Sequence, residues 1–181
     1  SPVGLVAVCA MPDTDLDAVL AGEPTLVAVL VGISEPGNAG TVIRVADAMG
    51  ADAVVLAGPS VDPYNGKCLR ASAGSIFSIP VVSDPDAVAV VTALRDTGLQ
   101  ALATTLNGDV SLDDADLGPP TAWLFGPEAH GLPADVAALA SAGVRIPMAG
   151  GAESLNVASA AAICLYASAR TRRQRAGPDT T

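Results

Sequence analysis

The sequence predicts an α/β fold, a mostly parallel sheet with helices on both faces. Two observations carry that prediction. Short, unbroken apolar runs rich in valine and leucine, closed by glycine or proline, read as strands buried on both faces. Longer stretches of helical periodicity lie between them, so strand and helix alternate along the chain. The 181 residues suit one domain with a sizeable core. Half are hydrophobic yet only 3% are aromatic, so small aliphatic side chains must fill that core.

In chain order, strands are expected at Gly4–Ala10, Thr25–Val31, Ala53–Leu56, Leu99–Thr104, Trp123–Phe125 and Val144–Ile146. Helices are expected at Asn38–Met49, Asp86–Thr97, Ala134–Ala140 and Leu155–Thr171. In the first of these, Val42, Val45, Ala46 and Met49 fall at i, i+3, i+4 and i+7, a core-facing stripe. Arg44 lies about 200° around the helix from Val42 and so points outward. Asn38 suits the N-cap, Gly50 suits the C′ position, and the capped start would offer free backbone N–H groups to an anion. Asp109–Pro120 reads as an acidic connector and 176–181 as a frayed tail.

Composition excludes several classes. Cys9, Cys68 and Cys164 are widely spaced, form no CxxC pair, and have only one histidine, His130, to join them. A disulfide framework or a zinc site is therefore not expected, and a reducing cytoplasm is. No apolar run reaches the roughly 18 residues that span a membrane. The net charge of −10 argues against an extended nucleic-acid surface, which needs cations. The nine cations are clustered, however: Arg44, Lys67 and Arg70 in one region, and Arg170, Arg172, Arg173 and Arg175 near the end.

Three stretches stand at strand-to-loop-to-helix junctions: Pro36–Ala51 (PGNAGTVIRVADAMGA), Leu124–Leu132 (LFGPEAHGL), and Ile146-Pro147-Met148 followed by Ser154-Leu155-Asn156. In order and separation they resemble the motifs of the SpoU (TrmH-like) family of the SPOUT RNA methyltransferases, and the resemblance covers essentially the whole chain. It implies an α/β sheet whose C-terminal segment forms a deep trefoil knot. It also implies S-adenosyl-L-methionine as cofactor, no metal, RNA (rRNA or tRNA) as substrate, and a homodimer with the active site at its interface. The reaction implied is methyl transfer to a ribose 2′-hydroxyl.

By motif position the resemblance assigns Gly126, Ile146 and Leu155 to the cofactor, with Thr104 and Leu124 on neighbouring strand ends. The glycine at 126 would let the backbone approach the cofactor closely. The reacting groups would be Asn38, Arg44, Glu128, Ser154 and Asn156. An arginine is always protonated, so Arg44 is read as holding a phosphate and the developing alkoxide, with the proton acceptor unassigned. Related enzymes supply this arginine across the dimer interface. Glu128 is expected to bond backbone N–H groups or an arginine such as Arg44, while His130 is read as a surface or hydrogen-bonding residue.

For Lys67 and Arg70, phosphate contact and a solvated loop both stand open, and the terminal arginines are read as favouring a helix C-terminus. Residues 1–175 are expected to form the catalytic domain, lacking an N-terminal RNA-binding domain; a naturally short tRNA enzyme is the other possibility. Two alternative functions stand beside the main one: a base methyltransferase of the same superfamily, and a dimeric RNA-binding paralogue without catalysis.

Overall fold

The computed structural model describes residues 14–176, with Gly4, Val8, Met11 and Pro12 before them. The strand expected at Gly4–Ala10 lies outside the described residues, Gly4 and Val8 excepted. The chain runs α1 (Leu16–Ala21), β1 (Leu26–Val31), α2 (Pro36–Ala48), β2 (Ala53–Ala57), α3 (Gly66–Ser72), a single 3-10 turn (Ser75–Phe77), β3 (Val81–Asp84) and α4 (Ala87–Asp96). It continues through β4 (Gln100–Thr104), β5 (Val110–Ser111), β6 (Thr121–Phe125), α5 (Ala134–Ala137), β7 (Ala142–Arg145) and α6 (Val157–Ala176).

Among the described residues seven strands form one sheet in the order β3-β2-β1-β6-β4-β7-β5, and every pairing is parallel. The unbroken apolar run of β1 explains its central place. Leu26, Ala28 and Leu30 face a core shared with α2 and α6, while Val27, Val29 and Val31 face the core under α4. Every residue of β1 is buried, as a strand covered on both faces requires. Full burial of one such leucine or valine is worth about 1.5–3 kcal/mol. The parallel α/β class is thus the one expected from sequence.

α2 starts earlier than expected. Glu35, not Asn38, is its N-cap: the Glu35 side chain accepts from the Gly37 N–H, and Pro36 occupies the first turn, where its missing N–H costs nothing. Asn38 is therefore inside the helix. At the other end Gly50 takes φ +70°, with Gly50 N–H on Asp47 O and Ala51 N–H on Ala46 O, a Schellman closure at the expected C′ residue. Gly40 lets α3 press on α2, since a Cβ there would stand 2.4 Å from the Cys68 carbonyl oxygen.

α6 begins at Val157 rather than Leu155, because Asn156 caps it through a 2.9 Å bond from the Ala158 N–H. Its small-residue run packs inward through Ala158 and Ala161. A buried bond from Trp123 Nε1 to Ser168 Oγ, 2.9 Å long, fastens α6 to β6. The sheet strand expected at Val144–Ile146 is instead Ala142–Arg145, so Ile146 leaves the sheet. The acidic connector contains the edge strand β5, and Lys67 and Arg70 lie on helix α3 rather than in a loop.

Candidate functional site

The carboxyl ends of β4, β6 and β7 open onto a cleft of about 570 Å³, the position where open α/β sheets hold ligands. Three loops wall it: Thr105–Asn107 after β4, Gly126–Leu132 after β6, and the segment from Ile146 through Leu155 after β7. Thr104, Gly126, Ile146 and Leu155 line it. Leu124 does not. It is fully buried in the core beneath α4, because alternation along β6 turns its side chain off the cleft; its carbonyl accepts from the Thr104 hydroxyl at 3.1 Å.

Glu128 and Ser154 also line the cleft. Asn38, Glu128 and Asn156, widely separated in sequence, meet at its rim. The Asn156 amide nitrogen donates to Asn38 Oδ1 at 3.1 Å and to Glu128 Oε1 at 2.8 Å. The backbone N–H of Val157 donates to the same carboxylate oxygen at 3.0 Å. Glu128 thus places a negative charge on the N-terminal end of a helix 20 residues long, where the helix dipole favours it. Of the two roles expected for Glu128, backbone capping is the one observed. Arg44 is exposed on α2 and is not among the residues lining the cleft.

The glycines around Glu128 also serve the loop itself. A Cβ on Gly126 would lie 2.6 Å from Gly131 C, 2.7 Å from Leu132 N and 2.8 Å from Gly131 O. The close approach that demands glycine is therefore between the strand end and its own returning loop. Gly131 has open space but φ +66°, and its N–H closes the turn on Pro127 O at 2.8 Å. His130 sits exposed on this loop and faces the cleft.

Beside the start of α2, Lys67 is ion-paired with Glu35. The lysine hydrogen bond, with the Gly37 N–H second, holds the Glu35 carboxyl below the usual carboxylate range. Lys67 is therefore committed to a carboxylate, while Arg70 is exposed. Near the chain end Arg172 bonds Gly50 O and the Thr25 hydroxyl, Arg175 pairs with Asp116, and Arg173 lies 5.8 Å from the Tyr166 ring centre. Arg173 and Arg175 occupy the last turn of α6, in keeping with the dipole reading. Cys68 and Cys164 are buried and free; burial pushes both thiols up, Cys164 to about 12.

Sequence reasoning missed the arch Thr105–Asn107 and the Met148 side chain, both part of the cleft wall. The arch carries no motif; its only signal was its place directly after a buried strand.

The fold and cleft define a ligand-binding α/β domain whose site is assembled from three loops at the strand ends. Residues 25–166 match the SpoU rRNA Methylase family, and the chain belongs to it. The chain is 40% identical over 177 residues to a 23S rRNA (uridine(2479)-2'-O)-methyltransferase of Streptomyces viridochromogenes, covering 95% of this chain and 62% of the relative. It is 37% identical to the 23S rRNA (guanosine(2553)-2'-O)-methyltransferase RlmP of Bacillus subtilis, covering 92% of this chain and 64% of that protein. The chain thus spans about three-fifths of the length of these curated relatives.

Among solved structures, the SpoU methyltransferase AviRb of Streptomyces viridochromogenes in complex with AdoMet superposes with a TM-score of 0.82 at 39% identity, covering 91% of this chain and 67% of that one. A structure concerned with 2-OH methylation of C/U34 on tRNA gives 0.74 at 32% identity, with 86% of this chain and 99% of that one covered.

Proposed function

We propose that this chain is the catalytic unit of an S-adenosylmethionine-dependent methyltransferase acting on a ribose 2′-hydroxyl of ribosomal RNA. One observation carries the reading. The second and third motif segments wall the cleft, and the Asn38–Asn156–Glu128 network ties the first motif to its rim. The relatives named for rRNA 2′-O-methylation and the AdoMet complex of AviRb support the substrate and cofactor.

The cleft residues fit the cofactor. Its volume lies in the ordinary range for small-molecule sites, roughly 300–1,000 Å³. Leu106, Ile146 and Leu155 offer aliphatic faces for an adenine ring, and the Glu128 carboxylate suits a cation. When bound, S-adenosylmethionine supplies an activated methyl group on a sulfonium centre. Asn38 and Ser154 orient the ribose and its phosphate, and Glu128 and Asn156 hold Asn38 in place. Arg44 neutralises the phosphate and the oxyanion that develops as the hydroxyl loses its proton.

Because Arg44 projects outward from α2, it would act on the cleft of a second copy, and the active unit is a homodimer. The deep trefoil knot belongs to the same proposal and is supported by family membership and by the place of β7 between β4 and β5. No helix among the described residues is long and apolar enough to cross a membrane; a ribosomal RNA substrate supports a cytoplasmic location.

Calorimetric titration with S-adenosylmethionine tests the cofactor, and sedimentation tests the dimer. Transfer of labelled methyl to 23S rRNA, read as 2′-O-methylnucleoside after digestion, tests the reaction. Arg44→Ala should abolish transfer while cofactor binding stays within about twofold. Label appearing only in tRNA moves the protein to the tRNA branch that the near-full-length coverage of the tRNA-related structure favours. Label on a base, or none on any RNA, removes the ribose reading.

A further inference from the structure

The arch between β4 and β5 makes part of the cleft wall, yet it carries no motif and has no secondary structure of its own. Chain entropy opposes such a segment keeping one shape, so something must hold it. Strand β7 holds it at both ends. At the start, the Thr105 N–H donates to Val144 O at 3.0 Å. At the finish, Gly108 lies flat on β7: a Cβ there would be 2.7 Å from Arg145 N and from Gly143 C and O. The Arg145 guanidinium then closes the arch, with Nη1 donating to Gly108 O at 2.9 Å and to Asp109 O at 3.2 Å.

Arg145 makes no ion pair among the described residues, and its charge is given wholly to two backbone carbonyls. Such charge-assisted bonds are stronger than neutral ones. Their effect is on the shape of the arch. At its tip Leu106 is 59% exposed although large and apolar, and the surface beside it is the cleft. A loop that leaves a leucine uncovered at the mouth of a cleft presents it to whatever the cleft binds.

We propose that Arg145 is a positioning residue for the cofactor: it pins the Thr105–Asp109 arch to β7 so that Leu106 and Asn107 stand ready against the bound ligand. The inference rests on the cofactor reading above. Preorganising the arch removes its ordering cost at binding, so Arg145 governs cofactor affinity and leaves the transfer step alone.

The experiment compares wild-type protein with Arg145→Ala, Arg145→Lys and, as a surface control, Arg95→Ala. Hydrogen exchange over residues 104–109 is measured without ligand, S-adenosylmethionine affinity by calorimetry, and transfer at saturating cofactor. Arg145→Ala should exchange faster in the arch and bind about tenfold more weakly. Its kcat at saturation should stay within twofold and its KM for the cofactor should rise. Arg145→Lys, which keeps a donor for the carbonyls, should recover most of the affinity, and Arg95→Ala should match wild type. Equal exchange or equal affinity in Arg145→Ala overturns the inference, as does a loss of kcat with affinity intact. If wild-type protein itself binds no S-adenosylmethionine, the cofactor reading falls and this inference with it. If Arg145→Ala fails to fold, Arg145→Lys decides: slower binding recovery than its arch protection predicts overturns the link between arch and ligand.

Discussion

Gly126→Ala puts the site's construction under direct test. The new methyl group would meet three backbone atoms of Gly131 and Leu132 at 2.6–2.8 Å, and ordinary contact begins near 3.4 Å. No flexible side chain stands in the way to yield, so the Pro127–Leu132 loop must retreat by about 0.6–0.8 Å. Glu128 rides on that loop. Its bonds of 2.8 Å to Asn156 and 3.0 Å to the Val157 N–H would stretch to roughly 3.5 Å or more, beyond useful hydrogen-bond length. Overpacking of this kind costs about 1–3 kcal/mol, which for a chain of this size lowers Tm by roughly 2–12 °C. The cleft wall moves with the loop, so S-adenosylmethionine affinity should fall at least about tenfold. Thermal unfolding and calorimetric titration read the two effects. Gly131→Ala is the control: it has open space and only an unfavourable φ, so it should cost about 1–2 kcal/mol and leave affinity within threefold. An unchanged Tm and affinity in Gly126→Ala would refute the reasoning, because the loop would then not be held against the strand end.

Other outcomes follow from the same structure. Asn156→Ala removes a helix cap and the link between Asn38 and Glu128, and should destabilise by about 1–2 kcal/mol in urea titration. With Glu128→Ala in a double-mutant cycle, the coupling energy should be about 0.5–1.5 kcal/mol; additive effects would mean the network is not energetically real. Ser168→Ala strands the buried Trp123 N–H and should cost about 1–3 kcal/mol, while Ser168→Thr, which keeps a hydroxyl, should cost less if its methyl is accommodated. Alkaline pH should destabilise the fold. The unfolded Cys164 thiol ionises near its ordinary value of 9.0 while the folded one keeps its proton to about 12. The stability is thus complete below pH 9 and is lost as pH rises from 9 toward 12, at about 1 kcal/mol per unit. Cys68 adds in the same direction. Urea midpoints at pH 8, 9 and 10 should fall in the wild type and fall less steeply in Cys164→Ala.

The central strands were legible in the sequence because a strand covered on both faces has no polar positions to interrupt it, as in Leu26–Val31. Elements that lack a long pattern were not. β3 has only two buried residues, β5 has only two residues, and α1 is a six-residue turn with one buried side chain. The cap of α2 was misplaced because asparagine is the commoner cap. Pro36, which fits a first helical turn better than any other residue, was the signal that pointed to Glu35, three residues earlier. In the site, Asn38, Glu128 and Asn156 became legible only through the family resemblance, since nothing local joins residues separated by 28 and 118 positions. The Leu124 side chain turns off the cleft by strand parity, which motif position does not encode. Arg145 gave no sign at all, for its bonds go to backbone carbonyls that any sequence would supply.

The rim network also has a polarity. Asn156 directs its amide hydrogens to Asn38 Oδ1 and Glu128 Oε1, and its own oxygen takes the Ala158 N–H. It has little left to offer a ligand. Because the carbonyl side of Asn38 is turned to Asn156, the amide NH2 of Asn38 is the end presented elsewhere. A group recognised there must accept hydrogen bonds, as phosphate and ribose oxygens do. The chemistry that this corner of an acidic protein welcomes is thereby set by the handedness of one amide, not by net charge.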